Sequence, residues 1–276
     1  MRLLILSLGL CALLVSSADA APLFSNGFET DTVGWSGATR VASGTNGITS
    51  ASGSFHATAA TNASTFTQWG GYNFGAGGGV ATAFQEYFTS IDIFLDVAAG
   101  FANNTRFDFS SAINNAAGNF LRDFIFNGGF YNDADGSPGS GTNRFIFSAS
   151  NNSQPGSAFA KNPARNPIAI STTGWYTFQH HFYDNGGVLA ADLSIYGPGN
   201  ALVNTWTLST ADAIAGVGGN RYGWFDFNQI PGLAFDNSSL ELAPVPEPSS
   251  MLLLSMGLLG FVGHRSRNAL RRRRSA

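Results

Sequence analysis

The sequence predicts an all-β protein whose central part folds as a two-sheet β-sandwich between two specialised ends. Short runs of alternating apolar and polar residues recur along the chain, as they do in half-buried strands. Clusters of glycine, asparagine and proline separate these runs, as turns require, and no sustained helical period interrupts them. About a dozen short strands in a chain of this length favour a sandwich over a small barrel.

The alternating runs place the predicted strands. From Ile91 to Val97, apolar residues alternate with Asp92 and Asp96, so that the apolar side chains share one face. The other runs are Arg106–Ser110, Phe120–Phe126, Arg144–Ser148, Trp175–Tyr183, Val188–Tyr196, Leu202–Leu208, Tyr222–Phe227 and Leu233–Leu242. Turns are predicted at Asn127–Gly129, Asp135–Gly139, Asn185–Gly187 and Gly197–Asn200. The Asn185–Gly187 turn joins two strong runs and is predicted to close a β-hairpin.

The N-terminus has the three parts of a secretory signal peptide. Arg2 is followed by an apolar stretch, Leu3–Val15, and then by small residues at Ala18 and Ala20. We predict cleavage after Ala20, which makes residues 1–20 the signal peptide. A permanent N-terminal anchor is the alternative, but the stretch is shorter than the ~20 residues that span a bilayer. The only cysteine, Cys11, would leave with the signal, so the mature protein would have no disulfide.

The central part, residues 21–243, is poor in charge and acidic. Charged residues make up 11% of the chain, and 34 glycines accompany many uncharged polar residues. Seven basic and 15 acidic side chains give residues 21–243 a net charge of about −8. A nucleic-acid-binding protein needs a basic face, so nucleic acid is excluded as a partner.

The C-terminal residues 244–276 have the layout of a short membrane anchor. Met251–Val262 is almost entirely apolar, and a basic cluster, which is retained on the cytoplasmic side, follows it. The segment is short for a transmembrane helix, which favours transient insertion in the inner membrane with residues 21–245 outside. The basic residues that would fix this topology are His264, Arg265, Arg267, Arg271, Arg272, Arg273 and Arg274.

An extended, protease-accessible motif precedes the apolar segment, because two prolines remove backbone donors there. It consists of Val245, Pro246, Glu247 and Pro248. Three parts in fixed order resemble the PEP-CTERM sorting signal of Gram-negative bacteria: this motif, the apolar helix with Gly257–Gly260, and the arginine cluster. The resemblance implies that exosortase, a membrane protease, removes the tail. It also implies a place at the cell surface or in the extracellular matrix of exopolysaccharide-producing, biofilm-forming cells. The alternative is an ordinary proline linker before an anchor.

The central part also resembles two groups of sugar-binding folds. Two segments are similar to the first and last strands of jelly-roll carbohydrate-binding modules. The first is Asn26–Glu29 with Gly34–Trp35, and the last is Ala234–Asn237 with Leu240. Gly174–Tyr176 to Asp192 and Leu193 is similar to concanavalin-like lectins. The resemblance implies a jelly-roll-type β-sandwich and a structural calcium ion held by Glu29 and Asp236, with backbone carbonyls completing the site. Alternatively, Asp236 is simply a polar strand residue.

The sequence offers little for catalysis, and we predict no catalytic residues. Glu29, Glu86 and Glu241 are the only glutamates of residues 21–243, whereas glycoside hydrolysis needs two closely placed carboxylates. His180 and His181 are adjacent in a predicted strand, so they point to opposite faces and do not share a metal ion. Asn132–Gly136 does not keep the EF-hand register and is better explained as a turn.

Sugar binding by a β-sandwich relies on exposed aromatic rings with polar neighbours. Trp69 and Tyr72, within the polar segment Gln68–Asn73, are the best candidates, followed by Tyr131. The sequence therefore predicts an exported, non-catalytic surface or matrix protein associated with extracellular polysaccharide. A carbohydrate-active hydrolase or lyase of lectin-like fold, and a purely structural or adhesive surface protein, are the alternatives.

Overall fold

The computed structural model describes residues 22–67, 83–151 and 160–243, which belong to one compact unit, Ala20–Ala243. The predicted signal peptide and the predicted C-terminal helix lie outside the described residues. Among the helices that the structure does describe, none is long and apolar enough to cross a membrane.

The described part of the chain forms two antiparallel sheets. Its strands are β1 Phe24–Asn26, β2 Trp35–Ser36, β3 Ala38–Ala42, β4 Phe55–Ala59, β5 Thr65–Thr67, β6 Tyr87–Leu95, β7 Thr105–Asn115, β8 Phe120–Tyr131, β9 Arg144–Asn151, β10 Ile168–Ile170, β11 Gly174–Asp184, β12 Val188–Gly197, β13 Ala201–Ala213, β14 Val217–Asp226 and β15 Leu233–Leu242. Single 3₁₀ turns connect some of them, at Thr45–Gly47, Val97–Ala99, Pro163–Arg165, Pro198–Asn200 and Ile214–Gly216.

The strand order assigns each strand to one of the two sheets. The first sheet runs β13-β12-β11-β6-β15-β4-β3, and β1 also pairs with β15. The second sheet runs β10-β9-β8-β7-β14-β5-β2. The chain crosses between the sheets after β1, β2, β4, β5, β6, β10, β13 and β14, so the two sheets are built from interleaved parts of the sequence. The prediction of a two-sheet β-sandwich is confirmed.

The core between the sheets is rich in phenylalanine. Phe126 of β8 and Phe147 of β9 both meet Phe178 of β11, each with ring centroids 5.1 Å apart. Edge-to-face pairs of this kind add about 0.5–1.5 kcal/mol to the burial of their area. The facing sheets are therefore held together by interlocking rings, and one apolar cluster extends through the unit.

The predicted strands and most predicted turns are confirmed. Each alternating run lies in a strand, apart from Asp96 and Val97, which follow β6, and Phe227, which follows β14. The hairpin at Asn185–Gly187 joins β11 and β12, with Asp184 opposite Leu189. Gly197–Asn200 connects β12 to β13, and Asp135–Gly139 lies in the connection between β8 and β9.

The predicted turn at Asn127–Gly129 is wrong, because β8 continues through these residues to Tyr131. Gly128 is paired with Phe107 on one side and with Phe147 on the other. A Cβ atom at Gly128 would lie 2.5 Å from the Phe147 ring. The glycine therefore makes room for an aromatic side chain within a strand.

Candidate functional site

The first sheet turns one face to the core and the other to solvent, and β11 shows this alternation clearly. Phe178, His180 and Phe182 are fully buried among core residues. The residues between them are half-exposed on the opposite face. Together with their neighbours on β6 and β12, they form a surface that we call the outer face, defined by Phe88, Ser90, Asp92, Phe94, Trp175, Thr177, Gln179, His181, Tyr183, Asp192 and Tyr196.

Aromatic side chains lie at both ends of the outer face. At one end Trp175 is opposite Phe94 in the strand register, with ring centroids 5.3 Å apart. At the other end His181 stacks on Phe88 at 4.1 Å and on Tyr183 at 4.9 Å. Trp175 and His181 are separated by about 20 Å along β11. The Trp175 indole is held in place because its Nε1 donates a hydrogen bond to the Thr49 carbonyl, at 2.7 Å.

Hydrogen-bonding side chains fill the space between the two aromatic ends. Thr177 donates to Asp92 at 2.5 Å, and the hydroxyl of Tyr196 donates to Gln179 at 3.4 Å. Asp192 accepts from Tyr183 at 3.4 Å and from Thr207 of β13 at 2.6 Å. These mutual contacts pre-position amide, hydroxyl and carboxylate groups that retain capacity for further hydrogen bonds.

The two residues predicted to hold calcium converge on one loop. The strand β15 is paired with β4 through Leu233–Phe235 and with β1 through Ser238–Leu240, so its partner changes at Asp236. The loop before β4 covers this point: the Ser52 amide donates to Asp236 at 3.3 Å. The Ser54 amide donates to both carboxylate oxygens of Glu29, at 3.0 and 3.1 Å.

Two residues beside these carboxylates have an unusual backbone conformation. Phe28, which precedes Glu29, has φ 57°, and Asn237, which follows Asp236, has φ 47°. Phe28 is nevertheless fully buried, edge-on against Phe235 at 5.2 Å. A left-handed conformation is costly for a bulky residue and is maintained only when the surroundings fix it. The turn that carries Glu29 is therefore held by the core itself.

The surroundings of Asp236 disfavour the charged form of its carboxylate. Burial raises the pKa of Asp236 to about 6, and the negative charge of Asp92 adds to the effect. Asp92 is linked to the same turn because Asn237 Nδ2 donates to it at 2.8 Å. The side chains suit a calcium ion only in part. Within the described ranges, no group of three or more histidine, cysteine, aspartate or glutamate side chains is arranged to hold a metal, and the carbonyls of Phe28 and Glu29 accept hydrogen bonds from Arg40.

The predicted sugar-binding aromatics are not assembled in the described structure. Trp69 and Tyr72 lie outside the described residues. The expectation that Tyr131 is exposed is wrong, since only 1% of its surface is accessible. Tyr131 ends the extended β8, packs with Ile146 and Ala160, and has the Lys161 ammonium 4.3 Å above its ring.

The adjacent histidines point to opposite faces, as predicted. His180 is fully buried, and its Nε2 lies 3.0 Å from the Phe124 carbonyl. Burial lowers the pKa of His180 to about 3, so the ring is neutral. His181 is on the outer face, 2.7 Å from Glu86. The two rings therefore cannot share an ion.

The connection between β8 and β9 is organised by a lysine. Lys161 Nζ lies 2.8 Å from Asp133 and 2.6 Å from Asp135. Its hydrogen bond holds the pKa of Asp135 well below the usual range. The buried Arg144 contacts the same two carboxylates from the strand side, at 3.4 and 3.3 Å. Lys161 and Arg144 thus supply the positive charge beside these two carboxylates. This agrees with the interpretation of Asn132–Gly136 as a turn rather than an EF-hand loop.

Sequence reasoning missed the outer face as a site, although the signal was present. The run Trp175–Tyr183 shows the alternation, and every second residue in it is polar or aromatic. Alternation alone indicates only a half-buried strand, because the sequence does not show that Phe88 and Asp92 lie beside the residues of this run. That information comes only from the pairing of β6 with β11.

The described fold and site define a β-sandwich protein with an exposed aromatic and polar face. Residues 244–267 match the family model described as the PEP-CTERM protein-sorting motif. The resemblance seen at Val245, Pro246, Glu247 and Pro248 is thus confirmed, and Arg265 and Arg267 lie within the match. The chain carries a signal for export and membrane-anchored sorting to the cell surface by exosortase.

Two further comparisons complete the findings. No curated protein matches the chain. Among solved structures, the chain is similar to the CBM2 module of the evolved Dit protein of Lactobacillus casei BL23 phage J-1. The sequence identity is 12% and the TM-score 0.43, and the match covers 83% of this chain and 99% of that one.

Proposed function

We propose that the protein is a non-catalytic component of the cell surface or extracellular matrix that binds extracellular polysaccharide through the outer face. One observation carries the proposal: aromatic rings at both ends of this face flank a row of hydrogen-bonding side chains. Sugar rings present apolar C–H faces that pack on aromatic rings, and hydroxyls that pair with amide and carboxylate groups. Side chains already fixed by mutual contacts lose little freedom on binding.

The proposal for sorting extends the matched motif to its processing. Secretion machinery exports the chain in a Gram-negative host and signal peptidase cleaves after Ala20. The apolar segment Met251–Val262 then holds the chain transiently in the inner membrane until exosortase removes the tail. Intact mass spectrometry of the surface protein tests both cuts: a mature protein that begins at Ala21 and ends near Pro248 is expected. Retention of the arginine cluster would contradict sorting by cleavage.

We further propose a structural calcium ion beside Glu29 and Asp236. The support is the convergence of both carboxylates on the Ser52–Ser54 loop, and the raised pKa of Asp236, which a cation would relieve. Asn237 supplies an amide oxygen at the same point, now bonded to Ser52. The Asn237 and backbone oxygens would have to complete the site, as hard-oxygen calcium sites allow.

The deciding experiment mixes the mature protein with exopolysaccharide from its own host, in calcium and then in chelator, and assays reducing ends throughout. Retention without new reducing ends supports a binding protein, and a loss of retention in chelator supports the calcium ion. New reducing ends would instead show a carbohydrate-active enzyme. Neither retention nor cleavage would leave a purely structural or adhesive surface protein.

A further inference from the structure

The strand β13 is an unusually long open edge. It comprises Ala201–Ala213 and is the terminal strand of the first sheet, where, among the described residues, it is paired with β12 alone. An edge strand directs every second backbone N–H and C=O away from its sheet, where another strand can pair with them. At 13 residues, β13 is more than twice as long as β3, the 5-residue strand at the opposite edge.

Two of the usual protections against edge pairing, basic side chains and proline, are missing from β13, and its register shifts against β12 lie outside the regularly paired Asn204–Ser209. It contains neither lysine, arginine nor proline, and Asp212 near its end is its only charge. Leu202 and Val203 are 60% and 40% exposed. By contrast, the opposite edge β3 carries Arg40 in the middle of its short span. Proteins that must remain separate normally place charge or proline at such an edge.

A groove runs along β13 at its open edge. Its volume is about 370 Å³, and one side is formed by consecutive residues, Asn204–Leu208. Because consecutive side chains of a strand point to opposite faces, consecutive residues line a groove together only along the strand's edge. The other side is formed by Ala164–Asn166 and Ala149. Trp206 Nε1 donates to the Asn166 carbonyl at 3.0 Å, which fixes the two sides relative to each other.

We propose that the β13 edge binds the β13 edge of a second copy of this chain, in antiparallel orientation, so that two first sheets become one continuous sheet. A two-fold axis at Thr207, the midpoint of the strand, pairs Thr207 with its own copy and Thr205 with Ser209. These outward-facing hydroxyl residues form favourable cross-strand pairs. Asp212 is the only charge of β13 and lies well away from this axis, so no charges of the same sign are opposed. A self-complementary edge of this kind suits a closed dimer.

The dimer has a consequence that rests on the proposed function. Both outer faces would lie on the same side of the joined sheet, so one dimer could bind two polysaccharide segments or one long segment twice. Bivalent binding increases retention without any new contact to the sugar. The pairing itself requires no sugar and is tested in its absence.

The test is sedimentation of the mature protein over about a hundredfold range of concentration, at about 0.15 M and about 0.5 M salt. We expect a monomer–dimer equilibrium that shifts toward dimer at high salt, because each copy carries a net charge of about −8 in residues 21–243. A protein that stays monomeric at every concentration and salt level would overturn the proposal.

A charge-swap pair of variants shows which edge is used. The double variants Thr205→Lys/Ser209→Lys and Thr205→Glu/Ser209→Glu oppose like charges, and each should weaken dimerisation by about tenfold or more. A mixture of the two should restore the dimer, since opposite charges then face each other. Thr39→Lys, on the opposite edge, is the matched control and should dimerise normally. Folded variants that fail to pair when mixed, or an equal loss in Thr39→Lys, would refute pairing through β13.

Discussion

At the scale of single residues, Asp236 shows how the fold holds a carboxylate in a buried position where its charged form is disfavoured. Its carboxylate is buried where β15 changes partner, and the negatively charged Asp92 lies nearby. The backbone amides of Ser52, in the covering loop, and of Asn237, in β15 itself, compensate only part of the cost of burying the charge. Asn237, the next residue, has a left-handed backbone conformation with φ 47°.

The raised pKa of Asp236 predicts a pH-dependent stability. Since the folded-state pKa is about 6 against an ordinary value of 3.8, the folded protein binds more protons between these values. Stability should therefore fall as pH rises from about 4 to about 6, by up to about 3 kcal/mol from this group. The measurement is urea unfolding of the mature protein and of Asp236→Asn in chelator, as a function of pH.

The control for this prediction is the difference between the two proteins. Other titrating groups cancel in that difference. The free energy of unfolding of the mature protein minus that of Asp236→Asn should therefore fall toward neutral pH. Adding calcium should abolish the trend, because a bound cation favours the charged carboxylate. A difference that is flat across this pH range would show that Asp236 is not desolvated as the structure indicates. An unchanged trend in calcium would contradict the metal site.

At the scale of elements, alternation predicted the long strands because their apolar residues face one shared core. From β6 onward, every alternating run corresponds to a strand. No alternating run marks the short strands β1 to β5 and β10, of which only the region of β1 and β2 was indicated, by its resemblance to jelly-roll modules. Their pairing depends on partners far away in sequence, such as Phe24 of β1 with Leu240 of β15. The turn expected at Asn127–Gly129 failed for the same reason: the neighbouring Phe147 ring, not local turn preference, determines the use of Gly128.

The close contact at Gly128 predicts a large effect of one methyl group. Gly128→Ala should destabilise the protein by about 1–3 kcal/mol, since its Cβ would collide with Phe147 and with the Phe107 carbonyl. Gly216→Ala is the control, because nothing lies within 4 Å of its Cβ position. Thermal unfolding of the two variants measures the contrast. Equal melting temperatures would mean that β8 and β9 are not packed as described.

The candidate site was predictable only in part. Glu29 and Asp236 were found from the sequence because each lies in a recognisable segment near an end of the central part. Their common neighbour, the Ser52–Ser54 loop, has no such signal and is brought to them by the pairing of β4 with β15. The outer face depends in the same way on long-range register, so the aromatic candidates chosen from local composition were different residues.

At the scale of the whole molecule, the sorting motif and the proposed binding surface occupy separate parts of the chain. The sorting motif at residues 244–267 directs the protein to the cell surface. The central part then presents a broad, mostly uncharged β-sandwich whose few charges are largely paired or hydrogen-bonded, as at Lys161 with Asp133 and Asp135. A β-sandwich of this kind suits the proposed surface component, which makes its contacts across one face.

The most direct measurement of the central claim compares two tryptophans on opposite sides of the sandwich. Trp175 lies on the outer face, whereas Trp224 of β14 is half-buried on the second sheet. Binding of the mature protein to its host's exopolysaccharide should weaken about tenfold or more in Trp175→Ala. Trp224→Ala, checked for folding in parallel, should bind as the unmodified protein does. Equal binding by both variants, or a loss confined to Trp224→Ala, would contradict the outer face as the sugar-binding surface.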